Sequence, residues 1–443
     1  MKTRLVQYQR NLKNSPKLYK VAEQVYESHN TGDSFWGVEA YVLAPVLCSY
    51  VAWVISEASN TGKKRLYFMA RDGYLMYKTA LIMCRMRKTD IECRYVCCSR
   101  YSLRSAEYML IGDKLADYIC LQGIDISFGR MMERAGLTRK QGTEVAKSLG
   151  KLQSYDEPMG YQEIRQLKDK LVQCELFMNF VRNYSCECYP EICQYLQKEG
   201  FADEIPYAVV DSGWTGSMQK SLGNILKSMG INRKLEGYYF GMYQIPQGAD
   251  QEDYHTWFFS AHGDLKRKVY FNNNLFECIY SAPHGMTIGY KNGEPVFYEE
   301  HSRNQEKINA FEIIVLDYIN KLMADEISLV ELGSQKDVLA ENLCLFMGRP
   351  TADEAEYFGS YLFCDDVVGG EDIPVARELS RKEIRDNFLL KKIMSRLSGA
   401  GTDIKESAWL EGSIALYGEN KRMALLQCRL FQYIRYIRMS FKA

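Results

Sequence analysis

Three polar turns in this chain carry the residue types that could do chemistry. "ARDG" sets Arg71, Asp72 and Gly73 directly behind the apolar run "RLYFM". "SRYSL" sets Ser99 and Arg100 behind "IECRYVCC". "DSGWTGS" sets Asp211, Ser212, Gly213, Trp214, Thr215, Gly216 and Ser217 behind "YAVV". The planar fork of an arginine grips phosphate oxygens two at a time. A Gly-containing turn that opens a helix presents consecutive backbone N–H groups to an anion, here with the Thr215 and Ser217 hydroxyls alongside. Each turn also has a plainer reading: Arg71 and Asp72 as a local ion pair, Ser217 as an ordinary helix N-cap.

The elements around these turns decide whether they meet. "RLYFMA" reads as a short strand, helical spacing of apolar residues follows from Leu75, and "IECRYVCC" is the next strand. Strand, polar turn, helix, strand is the pattern of a βαβ unit and a parallel sheet. Strand pattern returns at "YAVVD", "LEGYYFGMY" and "TWFFSA". Ligands of open parallel sheets sit beyond the carboxyl ends of the strands, so the three turns converge on one edge. Residues 104–200 are helical in pattern, with breaks near Gly123, Gly136 and Gly150. The expected organisation is an N-terminal helical segment (1–59), an α/β core (60–300) holding that insertion, and a helical C-terminal region (301–443) with a loop at "FCDDVVGGEDIP".

Composition narrows the class. In 443 residues, 47% hydrophobic and 25% charged content is ordinary for a globular chain of one large domain or of two to three. Lys plus Arg equals Asp plus Glu at 56 each, which speaks against nucleic acid as a partner. The 14 cysteines form no CxxC pair, and the N-terminus lacks an apolar signal region; a reduced, cytoplasmic protein is expected. The apolar run Ala40 to Ile55 is shorter than the ~20 residues of a spanning helix and contains Pro45, so it reads as an interrupted core helix. The C-terminal "KRMALLQCRLFQYIRYIRMSFKA" has six basic residues and no acid. It reads either as a packed terminal helix with a solvated basic face or as a basic amphipathic helix in peripheral contact with an anionic membrane.

Several motifs fail on inspection. Gln219 precedes Lys220 and Ser221 where a Walker loop needs glycine, "GWTGS" lacks the central serine of a nucleophile elbow, and Gly213 stands where a haloacid-dehalogenase phosphatase has its second aspartate. The five histidines show no HExxH spacing. An acid at a strand end followed by Thr-Gly-Ser resembles the phosphoribosyl-diphosphate loop of type I phosphoribosyltransferases, with Ser212 in place of that family's second acid. The set "YFMARDGYLMYK", "CCSRYSL", "VVDSGWTGSMQ", "GYYFGMY", "FECIYSAPHGMTIGY" and "WLEGSIA" is similar, in order, to the glycan phosphoribosyltransferase module of bacterial dual-domain ribofuranosyltransferases. The likeness covers roughly 35–290 and a patch near Trp409.

The resemblance implies an α/β fold with a mostly parallel, phosphoribosyltransferase-like sheet, a large helical insertion and helical N- and C-terminal additions. It implies transfer of 5-phosphoribosyl from phosphoribosyl diphosphate to a hydroxyl of a glycan or lipid-linked glycan in surface polysaccharide (O-antigen or capsule) biosynthesis. Mg2+ would arrive with the donor, and a separate haloacid-dehalogenase-type phosphatase would remove the 5-phosphate, since no phosphatase motif is present here. Arg71 and Arg100 are then expected on phosphate or pyrophosphate oxygens, and Thr215, Gly216 and Ser217 on the 5-phosphate. Asp211 would hold the ribose hydroxyls, through Mg2+ or directly, and Asp72 would serve as base or ligand of a metal-bound water. Gly73, Ser99, Ser212, Gly213, Gln219, Glu277 and His284 complete the expected site, while Trp214 either stacks on a sugar or wedges the loop against the core. A nucleotide-sugar-dependent glycosyltransferase and a non-catalytic glycan-assembly scaffold remain as alternatives.

Overall fold

A computed structural model describes residues 2–29, 35–121, 126–364, 372–389, 391–392 and 405–440. The expected break at Gly123 and most of the loop in "FCDDVVGGEDIP" lie outside the described residues.

Two amphipathic helices, α1 (Lys2–Leu12) and α2 (Pro16–His29), lead to the long helix α3 (Trp36–Asn60). Pro45 does not interrupt α3 as expected. A π turn over Glu39–Leu43 takes up the irregularity, and proline sits at the start of the regular α segment that follows, where a missing N–H costs least. The helix is long and apolar enough to cross a membrane, yet 94% of its apolar window is buried inside the protein.

The sheet comprises β1 (Arg65–Met69), β2 (Glu92–Val96), β3 (Tyr207–Trp214), β4 (Glu236–Met242) and β5 (Tyr254–Phe259). Their order is β2-β1-β3-β4-β5 and every pairing is parallel. β1 is buried along its whole length and β3 nearly so, which fits the apolar runs "LYFM" and "YAVV". Yet β3 runs on past the expected strand end: Asp211–Trp214, expected as a turn, pair with Tyr239–Met242 of β4. Helix α4 (Gly73–Arg87) joins β1 to β2. Between β2 and β3 lies the helical insertion, from α5 (Arg100–Ile111) to α6 (Glu175–Lys198), with a core of its own built on Phe128, Met131, Met132, Leu167 and Phe177. Helix α7 (Ser217–Ser228) follows β3.

Beyond β5 come α8 (Asn273–Ile279) and an antiparallel hairpin, β6 (Thr287–Lys291) with β7 (Glu294–Phe297), that stands apart from the main sheet. The C-terminal region contains α9 (Gln305–Ala324), α10 (Lys336–Gly348), α11 (Leu410–Tyr417) and α12 (Lys421–Ser440). One continuous core runs from Tyr8 through α3 and the sheet to Phe346 and Trp409, so both terminal regions share it with the α/β centre. Each fully buried Val, Leu or Phe in it contributes roughly 1.5–3 kcal/mol.

Candidate active site

The chain runs from β1 to β2 on one side of β1 and then, through the insertion, to β3 on the other. Such a reversal opens a crevice at the carboxyl ends of the two central strands. "ARDG" and "DSGWTGS" fall on its two lips. The Ala70–Arg71 peptide is cis. Gly73 starts α4 so close to β1 that a Cβ there would lie 2.9 Å from the carbonyl carbon of Phe68.

Asp72 does not pair with Arg71; its carboxylate accepts a hydrogen bond from the Ser212 hydroxyl across the crevice. Burial raises the Asp72 carboxyl above its ordinary value, against the pull of that hydrogen bond and of Arg71 and Arg100. Asp211, 8% exposed, is pushed well above the usual carboxylate range by burial and then by the charge of Asp72, with the backbone amides of Ser212 and Gly213 opposing. Glu277 of α8 completes the cluster and accepts from the Trp214 indole N–H. Burial and Asp72 push it up to about 7, while Arg100, Trp214 and Arg71 pull the other way. Three acids in a low-dielectric cleft cannot all ionise without cationic company. Arg71 and Arg100 supply positive charge at the rim: both are exposed, and among the described residues neither has a carboxylate within 4.0 Å.

The third turn is shaped by left-handed backbone. Gly213 (φ 111°), Trp214 (φ 71°) and Gly216 (φ 61°) bend β3 into α7, and a Cβ on Gly213 would meet the Gly241 carbonyl oxygen at 2.4 Å. Ser217 is not the N-cap. Gly216 occupies that position without a capping side chain, and Ser217 is the first helical residue. The first N–H groups of α7 are thus left without a side-chain cap. Arg104, one turn along α5 from Arg100, reaches the same place, its Nη2 3.5 Å from the Ser217 hydroxyl and its guanidinium 4.2 Å from the Tyr118 ring centroid. Arg104 is 6% exposed, and burial pushes its guanidinium down to about 10, so at neutral pH it stays charged. Among the described residues no carboxylate lies within ion-pairing distance of it. The neighbouring Tyr108 and Tyr118 and the charge of Glu107, itself buried on the next turn of α5, offset part of the cost of burying this cation, and a bound anion would offset more.

Three expected ligand residues are spent inside the protein. Ser99 caps α5 in a reciprocal capping box with Ser102 and donates to the Thr287 carbonyl at 2.6 Å. Gln219 donates to the Leu235 carbonyl at 2.7 Å and accepts from the Tyr239 hydroxyl. Trp214 packs among Phe271, Phe276, Tyr243 and Phe259, which is the wedge role, with no face left for a sugar. His284 stands near Arg71 at the crevice. Its Nδ1–H donates to the Gly285 carbonyl at 2.8 Å, so Nε2 accepts from the Tyr95 hydroxyl, also at 2.8 Å. Burial lowers the imidazole and keeps it neutral at pH 7.

Arg104 and Tyr95 were not among the expected residues. Arg104 was readable in principle, because Arg100 and Arg104 are four apart and share a helix face. For Mg2+, Asp72 just past β1 and Asp211 within the adjacent β3 match the one or two carboxylates that this ion takes alongside substrate phosphates. No group of three His, Cys, Asp or Glu side chains among the described residues forms a self-sufficient metal site. A scan of protein-family models finds no match to this chain, and no curated protein matches it.

Proposed function

We propose that this protein transfers a 5-phosphoribosyl group from phosphoribosyl diphosphate to a glycan hydroxyl, releasing pyrophosphate. The observation that carries the proposal is the buried Arg104, with no carboxylate within 4.0 Å among the described residues, set beside the uncapped start of α7, on a chain whose neighbouring crevice gathers acids and rim arginines. Such a site holds positive groups, without contacting carboxylates among the described residues, near a cluster of buried acids. A donor with phosphates at both ends of a hydroxyl-bearing sugar matches that division.

In this reading the 5-phosphate sits on the amides of Gly216 and Ser217, with Thr215 and Arg104 beside it. Arg71 and Arg100 bind the pyrophosphate and stabilise the charge that develops as the anomeric C–O bond breaks. Mg2+ bound to the donor would add Lewis-acid neutralisation there, held by Asp211 and Asp72. Asp211 orients the ribose hydroxyls, and the Ser212 hydroxyl aligns Asp72 and favours its ionised form against the effect of burial. Glu277, poised at about 7, takes the acceptor hydroxyl proton as the acceptor oxygen bonds to the anomeric carbon and pyrophosphate departs. Attack opposite the leaving group gives a β-ribofuranosyl product bearing a 5-phosphate, which a phosphatase must remove to leave plain ribofuranose. The reading carries with it a cytoplasmic reaction and, through the resemblance, a role in surface-polysaccharide assembly.

The test offers Mg2+ and phosphoribosyl diphosphate with candidate glycan acceptors and follows product mass and pyrophosphate release. A phosphoribosyl increment lost in Asp211→Asn is expected. No increment with any acceptor, together with no thermal stabilisation by the donor, would overturn the proposal. Stabilisation by nucleotide-sugars alone would favour the nucleotide-sugar reading.

A further inference from the structure

Helix α12 carries two apolar faces. Ala424, Leu425, Cys428 and Tyr436 are buried against the protein, and the Tyr436 ring stacks on Tyr243 at 5.2 Å, just past the carboxyl end of β4. On the opposite side Met423, Leu426, Leu430, Ile434 and Ile437 are each 41–56% exposed. Their spacing of three, four, four and three residues confines them to an arc of about 80° on the helix. Arg422 and Arg438, both exposed, lie about 40° outside the two edges of that arc. Residues 421–440 contain five basic side chains and no acid. Two of the five are tied to the protein, Lys421 to the Pro350 carbonyl and Arg429 to the Gly348 carbonyl, and Arg435 lies on the packed side over the Tyr436 ring, leaving Arg422 and Arg438 to flank the stripe.

We infer that this face of α12 docks on an anionic lipid bilayer, with the aliphatic stripe at the acyl boundary and the arginines at the headgroups. The charge pattern selects the occupant. An apolar stripe bordered by arginines and free of acids matches an interface that is apolar beneath and negative above. A second copy of this chain would bring the same arginines face to face. The packing of Tyr436 on Tyr243, and of Tyr243 near Trp214 at 5.9 Å, ties the docked helix to the wall of the crevice. Docking would therefore hold the site close to the membrane surface, where a lipid-linked acceptor would be met. The membrane inference itself stands on α12 alone and does not depend on the reaction.

The experiment is flotation of the full chain with vesicles of phosphatidylcholine alone and of phosphatidylcholine mixed with phosphatidylglycerol. Binding is expected only to the anionic vesicles and should weaken with salt. Leu426→Glu with Leu430→Glu should abolish it, whereas Ile313→Glu, at an apolar residue 58% exposed on α9, should leave it intact. Arg422→Gln and Arg438→Gln should each weaken binding about fivefold, from about 1 kcal/mol per basic residue near such a surface. Circular dichroism and thermal melts establish that the variants fold. Absence of the wild-type chain from the anionic vesicle fraction would overturn the inference, as would unchanged binding of the Leu426/Leu430 variant. A concentration-dependent dimer that this variant loses, without vesicle binding, would assign the face to a second copy instead.

Discussion

Replacing Glu277 by glutamine should make the protein more stable above neutral pH while removing its activity. Glutamine keeps the shape of the side chain and an oxygen for the Trp214 indole N–H, but carries no charge. In the native protein Glu277 is displaced upward from 4.5 to about 7. The folded state therefore holds a proton that the unfolded state has lost between those values, so wild-type stability falls as pH rises across that window. At roughly 1.4 kcal/mol per tenfold change in proton affinity the full displacement corresponds to at most ~3 kcal/mol. Partial solvent contact of the side chain screens some of it, so about 1–3 kcal/mol is expected. Urea unfolding of wild type and Glu277→Gln at pH 5 and pH 8 measures this as a difference of differences, which cancels any effect of the substitution common to both pH values. The stability gap should widen in favour of glutamine by at least ~1 kcal/mol on going to pH 8, while pyrophosphate release from the donor falls by roughly 10²–10⁴-fold. A gap that stays constant or closes with pH would show that Glu277 is a paired structural acid, and the assignment of the base would fail with it.

Other perturbations probe the remaining parts. Ser212→Ala removes the hydrogen bond that favours ionised Asp72, so the acid limb of the kcat/KM–pH profile should move to higher pH; an unmoved limb would separate Asp72 from the chemistry. Arg104→Met should leave thermal stability equal or higher while raising the KM for the donor roughly 10- to 150-fold, the value of a charged hydrogen bond of about 1.5–3 kcal/mol; unchanged donor binding would contradict the anion site. Gly213→Ala forces a Cβ against the Gly241 carbonyl in a left-handed backbone and should lower stability by about 1–3 kcal/mol. Gly223→Ala, with nothing within 4 Å on α7, is its control and should gain ~0.5–1 kcal/mol in the same denaturation assay.

β1 and the first half of β3 were legible because they are buried on both faces and appear as the apolar runs "LYFM" and "YAVV". The second half of β3, Asp211–Trp214, looked like a turn because its polar and glycine residues hide a strand held by pairing with β4. The convergence of Asp72 and Asp211 followed from parallel topology alone. Less was visible where local pattern is overridden by tertiary contact. Pro45 looked like a helix breaker, but a π turn ahead of it absorbs the defect. The β6–β7 hairpin escaped attention because its strands are short and only partly buried, although Asn292–Gly293, both at positive φ, is the pair that favours such a turn. No local signal says that Gln219 spends its polar groups inside the protein, because its partners are Tyr239 and Leu235, past the far end of α7. For Ser99 the cap to Ser102 is local, but its bond to the Thr287 carbonyl is remote in sequence. The displaced acidity of Glu277 likewise arises from packing against residues some 60 to 200 positions away.

The place of β1 between β2 and β3 has a consequence for how the chain is made. Its two neighbours are β2, which follows closely, and β3, whose Tyr207 pairs in register with Arg65. The hydrogen bond between Ser212 and Asp72 spans 140 residues. At ~5–20 residues per second, the ribosome needs on the order of ten seconds to deliver β3 after β1 has emerged. During that interval β1 presents a bare hydrogen-bonding edge and an apolar face to any other chain nearby. The insertion, with its own core, can compact while the nascent sheet still lacks its middle strand. Asp72 is thus synthesised early but acquires its partner Ser212 late, and the helical insertion doubles as a delay between the two halves of the site.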